Sequence, residues 1–196
     1  MSERQQPRKN VKQVSTLVEL KALSHPIRMR LLYSLKAHGP LTATRLGEMV
    51  DESPASVSYH LRKLADSGFA EETENASGDG RQRWWCTTSQ GFSWSATDFS
   101  DSPDGVTAAD AAKAVMLEHR WSRLTEYGRT AASWGPEWSD AGFSADNLLH
   151  LDPSQTEALS AELLEVVERY RALGANTQAQ GATTVMVLLH GFPTQM

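Results

Sequence analysis

Residues 53–69 read SPASVSYHLRKLADSGF, and this stretch decides the fold that the sequence predicts. Ser53 is a preferred helix N-cap, and Pro54 suits the first helical position because its missing N–H would have no partner there. Gly68 marks the end of the helix. The aliphatic residues at helical spacing are Val57, Leu61 and Leu64. The pattern therefore predicts a helix over 54–67 with one buried aliphatic side and one small, polar side.

Three further helices are predicted upstream of this one. Their apolar residues recur at steps of three and four, and proline, threonine or glycine marks several of their ends. The first helix carries its apolar positions on one side and directly precedes a proline that starts the second. The predicted bounds are Val11 to Ser24 for the first helix, His25-Pro26 to Gly39-Pro40 for the second, and Thr42, the N-cap, to Asp51-Glu52 for the third.

Two short strands are predicted downstream, around a turn rich in Gly, Asp and Ser at 75–80. Side chains alternate between the two faces of a strand. One face therefore holds Arg81, Arg83 and Trp85, and the other holds Gln82, Trp84 and Cys86. The hairpin is expected to present a basic arm.

The order of these elements is that of a winged helix-turn-helix. The major groove of B-DNA is about 12 Å wide and admits one α-helix. Small, hydroxyl-bearing and cationic residues on the open side of helix 54–67 suit base edges. Cations on the hairpin, the wing at 75–83, suit either the neighbouring phosphates or the minor groove. Read without that context, Arg62 and Lys63 would simply be a solvated helix face. The candidate DNA-binding residues are Thr42, Thr44, Arg45, Ala55, Ser56, Ser58, Tyr59, Arg62, Lys63, Arg81 and Arg83.

Several motifs in this order resemble the winged-helix domain of ArsR-type transcriptional regulators. They are ALSHPIRMRLL, LTATRL, SPASVSYHLRKL and the hairpin GDGRQRWW, and the resemblance covers residues 15–93. It implies a homodimeric regulator, expected to be a repressor, that reads an inverted repeat in double-stranded DNA. It also implies that Ser56, Ser58, Tyr59 and Arg62 enter the major groove.

The sequence departs from the metal-sensing members of that family. Their C-x-C pair is replaced here by the thiol-free stretch TATRLGEMV, and Asp110 is followed by two alanines. His119 has no carboxylate or histidine three residues later, where Ser122 stands. We therefore expect no metal ion and no other cofactor. His60 is interpreted as a half-buried packing residue and not as a ligand.

The chain is expected to be mainly α (α+β), with a winged helix-turn-helix, a β-hairpin wing and a helical C-terminal region. The long helical pattern in that region repeats Ala114, Leu117, Trp121, Leu124, Gly128 and Ala131, a seam that needs a partner surface. A last helix follows Asp152-Pro153, and the tail TTVMVLLHGFP could form a strand. The expected divisions are a flexible arm at 1–10, a DNA-binding domain at 11–94, an acidic linker at 95–106 and a dimerisation or effector region at 107–196.

Charge and composition agree with a DNA-facing first half. The formal net charge is −5, yet residues 1–95 hold 13 Lys and Arg against 10 Asp and Glu, while residues 96–196 hold 6 against 14. The polar N-terminus MSERQQPRKNVKQ lacks the apolar core of a signal peptide. With no membrane span and Cys86 as the single cysteine, a cytoplasmic protein without intrachain disulfides is expected.

Two other classes of function are alternatives to a regulator. An enzyme is disfavoured because residues 96–196 contain no G-x-G-x-x-G, P-loop, G-x-S-x-G or H-E-x-x-H motif. A protein–protein adaptor that has lost DNA binding stays open, although the retained cations argue against it. A small-molecule effector also stays open, because four tryptophans could line an apolar pocket or form a bundle core. They are Trp94, Trp121, Trp134 and Trp138.

Overall fold

The computed structural model describes residues 10–74, 82–175 and 181–195. The predicted arm, apart from Asn10, and the predicted hairpin turn with Arg81 lie outside these residues. Contacts divide the chain into two compact units, residues 1–129 and residues 130–196. Each unit is described by itself.

The first unit holds five strands, five helices and one 3₁₀ turn among its described residues. In chain order they are β1 (Val11–Gln13), α1 (Leu17–Leu23), α2 (Pro26–His38), β2 (Leu41–Thr42), α3 (Ala43–Val50), α4 (Pro54–Asp66), β3 (Ala70–Thr73), β4 (Trp84–Thr87), β5 (Gly91–Ser93), the 3₁₀ turn Ala96–Phe99 and α5 (Pro103–Thr130). The last residue of α5 falls beyond the boundary between the units.

The start of the first helix is a correction to the sequence prediction. The structure has a strand at Val11–Gln13, parallel to β5, and the helix begins only at Leu17. Thr16 ends the extended segment because it forms a capping box with Glu19. The Glu19 N–H donates to Thr16 Oγ1 over 3.3 Å, and the Thr16 N–H donates to Glu19 Oε2 over 3.0 Å.

Glu19 also holds β1 in place. Its carboxylate lies 2.7 Å from Lys12 Nζ, and Lys12 lies over the ring of Phe69, 5.2 Å from its centroid. Burial raises the pKa of Glu19, but hydrogen bonds from Lys12 and from the backbone of Ser15 and Thr16 outweigh it and lower the pKa to about 2. The carboxylate is therefore ionised at neutral pH.

The next three helices begin and end as the sequence predicts. Thr42 Oγ1 accepts the Arg45 N–H over 3.2 Å at the start of α3, and Ser53 Oγ accepts the Ser56 N–H over 3.2 Å at the start of α4. Asp51 ends α3 in the left-handed conformation, with φ at 55°. The tight connection between α3 and α4 follows from these caps.

The predicted hairpin is confirmed in its two strands, which belong to an antiparallel sheet of order β2-β4-β3. The two-residue strand β2 was not predicted. It pairs Leu41 with Trp85 and Thr42 with Trp84. Thr42 is thus both the end of β2 and the N-cap of α3, so the base of the wing and the start of α3 are joined at one residue.

One hydrophobic core lies inside the first unit. Its fully buried aliphatic residues are Val14, just after β1, and residues of α1, α2, α3 and α4, and α5 adds Ala108 and Ala112. The segment predicted as an acidic linker, 95–106, carries the 3₁₀ turn, the buried Phe99 and the start of α5. A Cβ on Gly105 would lie 2.7 Å from the Phe99 carbonyl oxygen, so this segment is closely packed.

The second unit contains a 3₁₀ turn, Ala131–Trp134, and the helices α6 (Pro136–Ala141) and α7 (Pro153–Ala175). The predicted break at Gly135 is confirmed, and its φ is 86°. Asp152 Oδ1 accepts the Gln155 N–H over 2.8 Å at the start of α7. The strand suggested for the tail is wrong: residues 182–195 make no ladder, because no strand among the described residues of this unit offers an edge to pair with.

The apolar seam predicted on α5 is present but uncovered. Leu117, Trp121 and Leu124 are 42%, 71% and 46% exposed. Apolar residues of α7 are exposed as well, among them Tyr170 and Leu173. Within the described ranges, no helix combines the length and apolarity needed to cross a bilayer.

Gly47 should be sensitive to a single added methyl group. Its Cβ would stand 2.6 Å from the carbonyl oxygen of Glu52, a backbone atom that cannot move without reshaping the connection to α4. We expect Gly47→Ala to lower the free energy of unfolding by about 1–3 kcal/mol, measured by urea unfolding.

The matched control is Gly128→Ala on α5, where nothing lies within 4 Å of the new Cβ. That change should leave stability unaltered or raise it by up to about 1 kcal/mol, because alanine is the better helix former. Equal stabilities of the two variants would contradict the packing described at Gly47.

Candidate nucleic-acid interface

Helix α4 separates into a buried side and an open side, as its sequence predicts. Val57, Leu61 and Leu64 are completely buried. On the open side, Tyr59 is 51% exposed and Arg62 is also exposed. The remaining candidates on this helix are the exposed Ala55 and Lys63 and the half-buried Ser56 and Ser58. The core therefore fixes which side of α4 can face another molecule.

Ser58 has its hydroxyl hydrogen engaged. The hydroxyl donates to the carbonyl oxygen of Pro54 one turn earlier, over 2.7 Å. Its oxygen keeps lone pairs that can accept a hydrogen bond. In this rotamer Ser58 offers an acceptor and not a donor to a neighbouring molecule.

The two cations on α4 differ in their surroundings. Lys63 Nζ lies 3.8 Å from Asp66 Oδ2 and 5.9 Å from the centroid of the Tyr59 ring. Arg62 makes no ion pair with any residue in the described part of the chain. Arg62 is therefore the less neutralised of the two.

A cleft of about 410 Å³ opens beside α4. It is bounded by the start of α3, the open side of α4 and the start of β4. The lining residues are Thr42, Ala43, Thr44, Ser58, Arg62, Gln82, Arg83 and Trp85. Five of the eleven predicted DNA-binding residues thus line one concave surface, and two of them are arginines from different elements.

Arg83 is held on the wing by a weak ion pair. Its Nη1 lies 3.0 Å from Glu72 Oε1, and the two side chains are 73% and 48% exposed. Exposed pairs of this kind contribute about 0–1 kcal/mol. A stronger anion could therefore replace Glu72 as the partner of Arg83. Arg81, the other predicted wing contact, lies outside the described residues.

Carboxylates surround the connection between α3 and α4, a feature that the sequence analysis missed. Glu48, Asp51 and Glu52 line a shallow concavity there together with Thr44, Gly47, Ser53 and Pro54. Glu48 also binds Arg45, with Nη1 and Oε2 2.6 Å apart. Negative charge at this end disfavours a phosphate, so the cationic part of the surface is the cleft and not the N-terminus of α4. The helical spacing of Arg45 and Glu48 was the available signal.

His119, on α5, lies beside the ring of Tyr33. The rings of His119 and Tyr33 lie 4.2 Å apart. Burial, followed by the charges of Arg123, Arg30 and Arg120, lowers the pKa of His119 to about 4. Over residues 10–74, 82–175 and 181–195, no group of three or more His, Cys, Asp or Glu side chains could hold a metal ion.

The tryptophans do not share one environment. Trp94 stacks on Phe92, with ring centroids 6.4 Å apart, at the edge of the core of the first unit. Trp121 and Trp134 are 71% and 49% exposed. The bundle-core interpretation therefore does not hold for Trp121 and Trp134 within one chain.

Residues 23–73 match the family model of a helix-turn-helix domain. This confirms the predicted helix-turn-helix and agrees with the ArsR-type resemblance of its motifs. A comparison with curated proteins gave no match.

Several solved structures resemble parts of this chain. Reduced HlyU from Vibrio cholerae is 20% identical, with 54% of this chain and 85% of that chain covered and a TM-score of 0.33. YusO from Bacillus subtilis is 18% identical, with 64% and 83% covered and a TM-score of 0.34. An ArsR family transcriptional regulator is 25% identical, with 54% and 88% covered and a TM-score of 0.31.

Substitutions of the two threonines that line the cleft should differ in their effect on stability. Thr42 caps α3, whereas the exposed Thr44 makes no capping bond. We expect Thr42→Ala to lower the free energy of unfolding by about 1 kcal/mol and Thr44→Ala to change it by less than about 0.5 kcal/mol. Thermal unfolding of both variants and the parent chain measures this. Equal losses would contradict the distinct placement of the two hydroxyls.

Proposed function

We propose that this chain is a sequence-specific DNA-binding transcriptional regulator that acts in the cytoplasm as a homodimer on an inverted repeat, as a repressor. The observation that carries the proposal is the open side of α4 beside the cleft, where Arg62 and Arg83 converge from a helix and a wing. The helix-turn-helix match over residues 23–73 supports it.

The first step is the placement of α4 in the major groove. Its aliphatic side is anchored in the core, so the groove meets the side that carries Tyr59 and Arg62. Ala55 and Ser56 are small and lie in the first turn, which lets that end of the helix come close to base edges. Lys63 and Arg45 contribute from the margin, since neither lines the cleft.

The second step is the grip on the DNA backbone. A phosphate in the cleft would meet Arg62 on one wall, Arg83 on the other and the Thr44 hydroxyl at the start of α3. Arg83 would exchange an exposed carboxylate for the phosphate at little cost. Arg81 is proposed to extend this contact along the wing. Such contacts set the position on the duplex and are independent of sequence.

The third step is base recognition by uncharged groups. Ser58 accepts hydrogen bonds, so in this rotamer it favours the amino group of adenine or cytosine over a carbonyl-bearing base edge. Tyr59 adds a hydroxyl and an apolar ring edge that can contact a thymine methyl group. These two residues are proposed to supply the discrimination between sites.

The dimer is proposed to use the uncovered apolar residues of α5, with α7 as a further contributor. Leu117, Trp121 and Leu124 lie on one side of the helix at steps of four and three. A second copy related by a two-fold axis would bury them. Two recognition helices would then read half-sites about 34–36 Å apart or a multiple of that distance.

The experiment that tests the function is a selection from a pool of random duplexes with the full chain at about 50 mM salt, where phosphate contacts are strong. Enrichment of an inverted repeat supports a dimeric, sequence-specific regulator. Retention of duplexes without enrichment would contradict the specificity. If no duplex is retained, the regulator is excluded and the adaptor alternative is favoured.

Arg62→Ala and Tyr59→Ala, both on α4, should change the affinities for the enriched duplex and for a scrambled duplex in different ways. Arg62→Ala should weaken binding to both by a similar factor and reduce the slope of log K against log salt by about 1, because one phosphate contact is lost. Tyr59→Ala should reduce the ratio between the two duplexes by about tenfold and leave the slope unchanged. Fluorescence anisotropy over a salt series measures both quantities.

The control for this series is Arg171→Ala. Arg171 is an exposed arginine of α7 that is ion-paired with Glu168, so it matches Arg62 in charge and not in location. It should bind both duplexes like the parent chain. A loss of affinity equal to that of Arg62→Ala would show that total charge, and not the cleft, governs binding.

The α5 seam should determine the oligomeric state. We expect Trp121→Glu to convert a dimer into a monomer in sedimentation analysis, because a carboxylate would have to be buried in the interface. The control is Val18→Glu on α1, a side chain that is 64% exposed and lies outside the seam. Dimers of unchanged stability in both variants would contradict the proposed seam.

A further inference from the structure

Two histidines meet where the N-terminus of α2 packs against α4. The rings of His25 and His60 lie 4.5 Å apart, inclined at 45°. His25 is the N-cap of α2, and its Nδ1 accepts the Ile27 N–H over 3.2 Å. His60 is 8% exposed, which confirms the packing role predicted for it. Its buried Nδ1 has no hydrogen-bond partner within the described part of the chain.

A fixed cation lies beside this pair. Arg28 of α2 donates from Nε to the Ala22 carbonyl and from Nη2 to the Lys21 carbonyl, each over 2.6 Å. These bonds to the end of α1 hold the guanidinium in place, and its charge acts on both imidazoles. If His60 gained a proton, Arg28 could not move away from the new charge without losing its hydrogen bonds to the end of α1.

The other charged and titratable groups that face the pair are few. The connection between α3 and α4 contributes the carboxylate of Glu52, which favours the protonated rings. Helix α4 contributes Tyr59, whose ring meets His60 edge-on with centroids 5.2 Å apart. The end of α1 contributes the two carbonyls that Arg28 occupies. The His25–His60 pair is thus in direct contact with Tyr59, a residue on the open side of α4.

Burial lowers the pKa of both histidines below the ordinary value, and the neighbouring positive charges act in the same direction. The contact is therefore complete above the ordinary pKa of histidine, near 6.5, and is lost as the pH falls through the lowered values. Below them, two cationic rings and Arg28 would crowd one small volume. The packing of α4 against α2 would weaken at these low pH values.

We infer that the His25–His60 pair is a pH-sensitive contact that holds the recognition helix in its DNA-reading position and releases it in mildly acidic solution. The inference rests on the proposed function. It gives the regulator an acid response: affinity for the operator falls as the pH falls. The direction is opposite to the ordinary behaviour of a DNA-binding protein, in which exposed histidines gain charge on acidification and strengthen phosphate binding.

The test is the affinity for the enriched duplex, measured by anisotropy at constant ionic strength from about pH 8 to about pH 5.5, the range in which histidine changes charge. The parent chain should lose about threefold or more in affinity over this range. His119 does not interfere, because its pKa of about 4 lies below the range.

Three variants identify the groups responsible. His25→Asn keeps a preferred N-cap and removes one of the two titrating rings, so it should reduce the acid loss. His60→Gln should do the same. His38→Asn, on the exposed end of α2, should retain the acid loss of the parent chain. Proton NMR titration of the ring hydrogens provides a second measurement, in which both resonances should shift only below the ordinary pKa of histidine.

The outcomes separate the two proposals. If no duplex is enriched at about pH 8, where both rings are neutral, the proposed function fails and the acid response fails with it. If the duplex binds at that pH and affinity is constant or rises on acidification, only the pH-sensitive contact is overturned. An undiminished acid loss in His25→Asn would also overturn it. Should His60→Gln fail to fold, His25→Asn and the NMR titration decide the matter.

Discussion

The burial of three aliphatic side chains on α4 is the constraint on which the rest of the structure depends. Val57, Leu61 and Leu64 have no exposed surface, and together they are worth several kcal/mol of transfer free energy. Their burial fixes the rotation of the helix about its own axis. Every polar group on the opposite side, from Ser58 to Arg62, is consequently presented in one direction, and the cleft forms where that side meets β4 and the start of α3.

Charge is distributed unevenly around this helix, and the distribution has a physical logic. Carboxylates occupy the connection that precedes α4, whereas arginines occupy the cleft beside its middle. A polyanion is thus repelled at one end and attracted along the flank, which favours one orientation of approach over others. The weak pair between Arg83 and Glu72 keeps a cation of the wing neutralised until an anion competes for it.

Much of the first unit was predictable because its local signals and its tertiary contacts agree. Caps at Thr42 and Ser53, together with the heptad-like spacing of buried residues, determined α3 and α4 before any packing was known. The strand at Val11–Gln13 was not predictable in this way, because it exists through pairing with β5, some eighty residues later in the chain. The cleft was not predictable from local signals, because it forms only when α3, α4 and β4 come together. The carboxylates that limit it act through space, so local sequence did not show their effect either. The strand suggested for the tail was wrong for the converse reason: β-branched residues favour a strand only where a sheet edge is available for pairing.

The parallel pairing of β1 with β5 brings together two segments on either side of the helix-turn-helix and the wing strands. The Val14 N–H donates to the Ser93 carbonyl over 2.9 Å, and the Gln90 N–H donates to the Asn10 carbonyl over 2.9 Å. During synthesis on the ribosome, β1 must wait unpaired until β5 has emerged, since a contact of such long range forms late. Helices α2 to α4 can form earlier from local contacts. The order of translation thus assembles the helix-turn-helix before β1 pairs with β5 and before α5 adds its residues to the core.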